Sequence, residues 1–91
     1  MSKLFNITII TPEKTIYEGK ASSLIAPCEY GYLGVLADHA PLIANVTSGK
    51  ITVSNDLVPP QTFDFKGKGF LEVLNNNVTM LLTQAEPNAL I

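Results

Sequence analysis

A chain of 91 residues with a single cysteine, Cys28, and a single histidine, His39, fits one domain, 1–91, and excludes both an internal disulfide and a zinc-finger ligand set. Its six basic residues are all lysines (Lys3, Lys14, Lys20, Lys50, Lys66 and Lys68) and the net charge is −2, so nucleic acid is excluded as a partner and tight phosphate recognition is disfavoured. Only 15% of residues are charged, against about 25% in an ordinary soluble domain, while 46% are hydrophobic, so the chain can fill a core but cannot coat its surface with charge. The remaining surface is either a Thr/Asn-rich solvated sheet or one covered by partner proteins.

In chain order the pattern is of short alternating runs separated by turn signals. The first eight residues are interrupted by polar side chains and carry no signal-peptide core, and no later stretch approaches the ~20 apolar residues of a membrane span. This predicts a cytosolic chain, or one attached to a membrane only through other proteins. Phe5, Ile7 and Ile9 share one strand face and Asn6 and Thr8 the other; Thr11-Pro12-Glu13-Lys14 reads as a turn. Residues 15–18 form a short strand ending at Gly19, and residues 21–26 alternate again. Residues 27–34, with two glycines, read as a loop. Leu42, Ala44 and Val46 alternate with Ile43, Asn45 and Thr47, and Ser48-Gly49 then signals a hairpin into residues 50–54.

Residues 55–60 read as a longer loop, and Phe63 and Phe65 point one way while Thr62 and Asp64 point the other. Lys66-Gly67-Lys68-Gly69 breaks the chain again. The last two runs, 70–74 and 78–83, flank Asn75-Asn76-Asn77, whose side chains tolerate the left-handed conformation of a tight turn. No segment carries apolar residues at helical spacing over ten positions. The pattern predicts an all-β domain, a flattened antiparallel sandwich of two sheets with about 8–10 short strands.

No catalytic constellation emerges. Asp38 precedes His39, but neighbouring side chains in an extended chain point apart, and no G-x-S-x-G elbow surrounds a serine. Cys28 lies beside Glu29, and a nearby carboxylate raises a thiol pKa where activation needs it lowered. The glycines of residues 66–69 are flanked by strands, whereas a phosphate loop opens a helix. The acidic residues are scattered singly, with no calcium-loop array. No cofactor or metal is expected.

Two blocks carry a family resemblance. Residues 31–42 read Gly31-Tyr32-Leu33-Gly34-Val35-Leu36-Ala37-Asp38-His39-Ala40-Pro41-Leu42, and further on Gly69-Phe70-Leu71-Glu72-Val73 precedes Asn77-Val78-Thr79. In order and spacing these resemble the epsilon subunit of the F-type ATP synthase, called delta in mitochondria. That family's pattern is E-G-x-L-G-(I/V)-x-x-x-H-A-P-L, then G-G-x-(L/F)-E-V and N-V-T. Two positions depart: Tyr30 stands where the acidic residue usually precedes the first glycine, with Glu29 one step away, and Lys68 replaces a glycine.

The resemblance implies a two-sheet sandwich at the foot of the rotating shaft. It implies a non-catalytic rotor subunit that binds the gamma subunit and the c-ring and couples proton or other ion flow to ATP synthesis and hydrolysis. The place implied is the cytoplasmic face of an energy-transducing membrane, peripheral, without direct insertion. Thr11, His39, Ala40, Pro41, Leu42 and Ala44 match the gamma-facing surface; Glu29, Tyr30, Gly31, Tyr32 and Leu33 match the loop that meets the c-ring. The same residues also have a purely structural reading, in which Gly31 and Gly34 supply φ > 0, Pro41 starts a strand and Leu42 is core. The family's C-terminal helical hairpin, which in some members binds ATP, is expected to be absent, and with it ATP binding. The alternatives are a stand-alone β module holding a small ligand between its sheets, and a β-fold enzyme dependent on His39.

Overall fold

A computed structural model describes residues 3–83, which form nine strands joined by short turns, with no helix among them. One layer carries, side by side, β2 (Thr15–Ala21), β1 (Phe5–Ile10), β9 (Asn77–Leu82), β8 (Gly69–Leu74) and β5 (Leu42–Val46). The other carries β4 (Gly31–Leu36), β3 (Ser23–Cys28), β6 (Gly49–Asn55) and β7 (Val58–Phe65). The layers meet at one corner, where Cys28 of β3 pairs with Val46 of β5. There the Glu29 N–H donates to the Asn45 carbonyl at 3.1 Å and the Thr47 N–H to the Pro27 carbonyl at 2.9 Å, so the two layers form one curled sheet.

Alternation builds the core. Phe5, Ile7 and Ile9 of β1, Val78, Met80 and Leu82 of β9, and Leu71 and Val73 of β8 turn inward from the first layer. Leu24, Ala26, Val35, Ile51, Val53, Phe63 and Phe65 meet them from the second, all at 3% exposure or less. Each large side chain buried in this way contributes about 1.5–3 kcal/mol, and a one-residue slip in any strand would turn its whole set outward. Gly69, which opens the second family block, is fixed by close approach: a Cβ there would collide with the Leu81 carbonyl oxygen of β9.

The sandwich is as the alternation predicts, and several local readings are corrected. The β1–β9 pairing is parallel, Ile7 beside Val78 and Ile9 beside Met80, so the sheet is not wholly antiparallel. These strands come from distant parts of the sequence, and no hairpin imposes their direction. Ser48-Gly49 is not a hairpin, because β5 pairs with β8 while β6 pairs with β3 and β7. The chain crosses between layers there, so the apolar runs on either side face each other across the core.

The run at 21–26 is likewise broken, at Ser22, whose N–H and hydroxyl both donate to the Ser54 carbonyl as the chain changes layer. The strand read as ending at Gly19 continues to Ala21. The supposed loop at 55–60 contracts to Asp56-Leu57, and Pro59 and Pro60 lie within β7. Proline is tolerated there because β7 is an edge strand and needs no ladder donor on its free side. The loop read at 27–34 is a hairpin, β3–β4, whose turn is only Glu29-Tyr30.

Candidate functional site

The β3–β4 hairpin projects at the corner where the layers meet. Gly31 adopts φ 121°, a conformation that favours glycine, and this lets the two-residue turn close. Glu29 ties the turn to β5: its Oε2 accepts from Asn45 Nδ2 at 2.8 Å, alongside the backbone bond to Asn45. Tyr30 is left 97% exposed at the apex. Tyr32 is exposed on the outer flank, its hydroxyl accepting the Lys50 N–H at 3.1 Å. Leu33 points inward and is half-buried against the core. Of the five residues matched to the c-ring loop, Glu29, Tyr30 and Gly31 therefore form the tip, Tyr32 its flank, and Leu33 its inner support.

Beside the tip, an open cleft runs between Leu33 of β4 and Leu42 and Ala44 of β5, with Cys28 in its wall. Burial pushes the Cys28 thiol up from its ordinary value, away from reactivity. The neighbouring Glu29 carboxylate, which the sequence suggests as the cause, is turned to Asn45 instead.

The residues matched to the gamma-facing surface do not form one patch. By register, Leu42 stands level with Val73, Val78 and Ile7, and Val46 level with Gly69 and Leu82. His39, Ala40 and Pro41 therefore lie at one end of the first layer, near the Asn75-Asn76 turn. Thr11, following Ile10, lies at the other end, the end of the β3–β4 tip, about five rungs or roughly 17 Å away. Thr11 closes the β1–β2 turn, its Oγ1 accepting the N–H groups of Glu13 and Lys14 at 3.3 and 3.2 Å. Leu42 and Ala44 turn inward from β5 and are half-buried.

At the His39 end the polar groups serve structure. Asp38 has φ 63°, and its carboxylate takes Lys3 Nζ at 2.7 Å and Asn76 Nδ2 at 2.9 Å. The Lys3 hydrogen bond, then that of Asn76, holds the carboxyl below the usual range. Those contacts leave no Asp–His dyad. His39 Nδ1 instead lies 2.8 Å from the Ala40 carbonyl oxygen, which can only accept, so Nδ1 carries a proton. No group of three or more His, Cys, Asp or Glu among the described residues could hold a metal ion.

The structure adds a surface that the sequence reading missed. Ile43 of β5, Phe70 and Leu74 of β8 and Leu81 of β9 are 71, 55, 47 and 46% exposed. They share the outer face of the first layer. Phe70 pairs directly with Leu81, and Ile43 sits diagonally from Phe70 through its own pairing with Glu72. The signal was present in Leu42-Ile43, Phe70-Leu71 and Leu81-Leu82. Each places apolar side chains on both faces of a strand, which a sheet with one solvated face does not require.

The sequence model of a family described as ATP synthase, Delta/Epsilon chain, beta-sandwich domain, matches residues 4–88. The chain is 40% identical over 79 residues to the ATP synthase epsilon chain of Chlorobaculum tepidum, covering 87% of this chain and 89% of that one. It is 32% identical over 85 residues to the ATP synthase epsilon chain of Dichelobacter nodosus, covering 93% of this chain and 59% of that one. It shares its fold with a chain in a cryo-EM structure of the Euglena gracilis mitochondrial ATP synthase, OSCP/F1/c-ring in rotational state 1. There the TM-score is 0.80 at 19% identity, with 89% of this chain and 51% of that chain covered. The chain thus spans about three fifths of the Dichelobacter relative and nearly nine tenths of the Chlorobaculum one.

Proposed function

The chain belongs to the family of ATP synthase delta/epsilon chains, and from that premise we propose that it is the non-catalytic rotor subunit of an F-type ATP synthase. It holds the gamma subunit and the c-ring together and so couples ion translocation to ATP synthesis and hydrolysis. The observation that carries this reading is that two exposed surfaces of different character adjoin on one frame of paired strands, where Glu29 of the tip bonds Asn45 beside Phe70. One is the apolar outer face of Ile43, Phe70, Leu74 and Leu81, and the other is the tyrosine-bearing tip. A part that transmits torque needs two grips and no hinge between them. Here the grips are joined by continuous strands and turns of a few residues.

The apolar face receives gamma, bordered by His39, Ala40 and Pro41 at one end and Thr11 at the other. Leu42 and Ala44 hold β5 in place from within. Glu29, Tyr30, Gly31 and Tyr32 meet the polar loops of the c-ring, with Leu33 supporting them. The subunit then sits on the cytoplasmic face of the membrane and is held there by its partners. Among the described residues no helix is long and apolar enough to cross it.

Size-exclusion chromatography of the purified chain mixed with the gamma subunit of the same synthase tests the grip. Co-elution as a stable complex is expected, with loss of the complex for the double substitution Ile43→Asp, Phe70→Asp. Separate elution of the unaltered chain contradicts the reading.

A further inference from the structure

The outer face of β5, β8 and β9 carries one charge, and it stands in the middle of the apolar side chains. Glu72 alternates with Phe70 and Leu74 along β8 and pairs directly with Ile43 of β5 on one side and Thr79 of β9 on the other. Successive outward residues of a strand stand about 7 Å apart and directly paired ones about 5 Å. The carboxylate is therefore flanked on three sides by the exposed apolar side chains of Ile43, Phe70 and Leu74.

Nothing on this face answers the charge. Among the described residues no hydrogen bond or ion pair takes up the Glu72 carboxylate, and the other outward side chains of β5, β8 and β9 are uncharged. The outward lysine of the same layer, Lys20, lies on β2, three strands away, roughly 14 Å across the sheet. Lys3 is engaged by Asp38. Solvation of the sheet does not call for a carboxylate at this position, because the neighbouring strands meet water with the neutral side chains of Asn6, Thr8, Asn77 and Thr79.

An exposed carboxylate is hydrated at no cost. A partner that covers Ile43, Phe70 and Leu74 strips that hydration, and a carboxylate buried without a cation then opposes binding strongly. The face is thus complementary to a surface that is apolar and brings one cation opposite Glu72. A guanidinium suits this setting better than an ammonium. It is the more weakly hydrated of the two, it takes both carboxylate oxygens at once, and its plane can stack on the neighbouring Phe70 ring, which is 55% exposed. We propose, resting on the reading in which this face receives gamma, that Glu72 is the specificity-determining residue of the face and that the gamma subunit meets it with an arginine seated among Ile43, Phe70 and Leu74. A mate that is wholly apolar is thereby rejected.

Isothermal titration of the full chain into the gamma subunit of the same synthase, with Glu72→Gln and Glu18→Gln in parallel, tests the charge. Glu72→Gln should weaken binding at least about tenfold, while its thermal midpoint stays within roughly 3 °C of the unaltered chain. Glu18→Gln removes the same charge from β2 of the same layer and should change the affinity by less than about twofold. Phenylglyoxal labelling of the complex, mapped by mass spectrometry, should show a gamma arginine that the unaltered chain protects and that is more reactive in the complex with Glu72→Gln. Tighter binding by Glu72→Gln, or a loss no larger than that of Glu18→Gln, overturns the proposal and leaves gamma binding standing. Protection of a gamma lysine from acetylation, with no arginine protected, overturns it as well. An unaltered chain that does not bind gamma overturns both.

Discussion

Two tight turns close hairpins at opposite ends of the sandwich, and they use different chemistry. Asn75-Asn76, between β8 and β9, places both residues at positive φ, 49° and 61°, as a two-residue hairpin with the strands' own twist requires. Asn76 is then held through Asp38, which donates its N–H to Asn76 Oδ1 and accepts from Asn76 Nδ2, while Lys3 closes the cluster. Glu29-Tyr30, between β3 and β4, leaves the positive φ to Gly31, fastens only its base through Glu29, and leaves Tyr30 at 97% exposure. The first turn satisfies its own backbone and a neighbouring loop. The second leaves a large amphipathic side chain facing outward, which gains nothing in the isolated chain. A turn's role can therefore be read from where its side chains find partners.

The sharpest test of that contrast is Asn76→Ala. It puts a Cβ-bearing residue without a polar side chain at φ 61° and removes both Asp38 contacts. About 2 kcal/mol should be lost, and the thermal midpoint should fall by roughly 10 °C. Affinity for the gamma subunit, measured at a temperature where the variant is folded, should not change. Asn76→Gly separates the two causes, since glycine accepts the backbone and loses only the side-chain bonds. Its cost should be no more than about 1 kcal/mol by urea denaturation. Equal losses for the two variants would assign the whole effect to the Asp38 contacts.

The Asp38 carboxyl gives a smaller, pH-resolved effect. Its folded pKa lies below the ordinary value, through Lys3 first and Asn76 second. Its stabilising contribution is therefore present above the unfolded pKa of about 3.9 and is lost as pH falls through the lower folded value. The urea midpoints of the unaltered chain and Asp38→Asn should differ slightly at neutral pH and converge below about pH 4. Added salt should narrow the gap, because both Lys3 and Asp38 are exposed. A gap that widens on acidification would reverse the sign. Smallest in stability is Tyr30→Ala, expected within about 0.5 kcal/mol of the unaltered chain. The same change should loosen attachment to the c-ring, and normal attachment would remove the tip from the recognition surface.

The strands were legible because period-2 alternation is local: Phe5, Ile7 and Ile9, or Phe63 and Phe65, announce their faces without reference to the rest of the chain. The Asn75-Asn76 turn was legible for the same reason. Which strand lies beside which was not legible. The parallel β1–β9 pair joins opposite ends of the chain, and Ser48-Gly49 resembles a hairpin turn although its flanking strands belong to different layers. Pro59 and Pro60 read as loop because only the finished sheet shows that β7 is an edge. The candidate site divides in the same way. Tyr30 stands out in sequence as an aromatic in a turn, whereas the face of Ile43, Phe70, Leu74 and Leu81 exists only once β5, β8 and β9 are laid side by side. The family match names Leu42 and Ala44, and the residue types at 42–44 do not reveal that Ile43 is the side chain turned outward.

ATP-driven ion pumping in membrane vesicles carrying a synthase depleted of this chain tests the proposed coupling role most directly. Adding back the purified chain should restore pumping, and the Ile43→Asp, Phe70→Asp variant should fail to restore it while remaining folded. Pumping that is undiminished by depletion, or restored equally by the variant, would contradict the account.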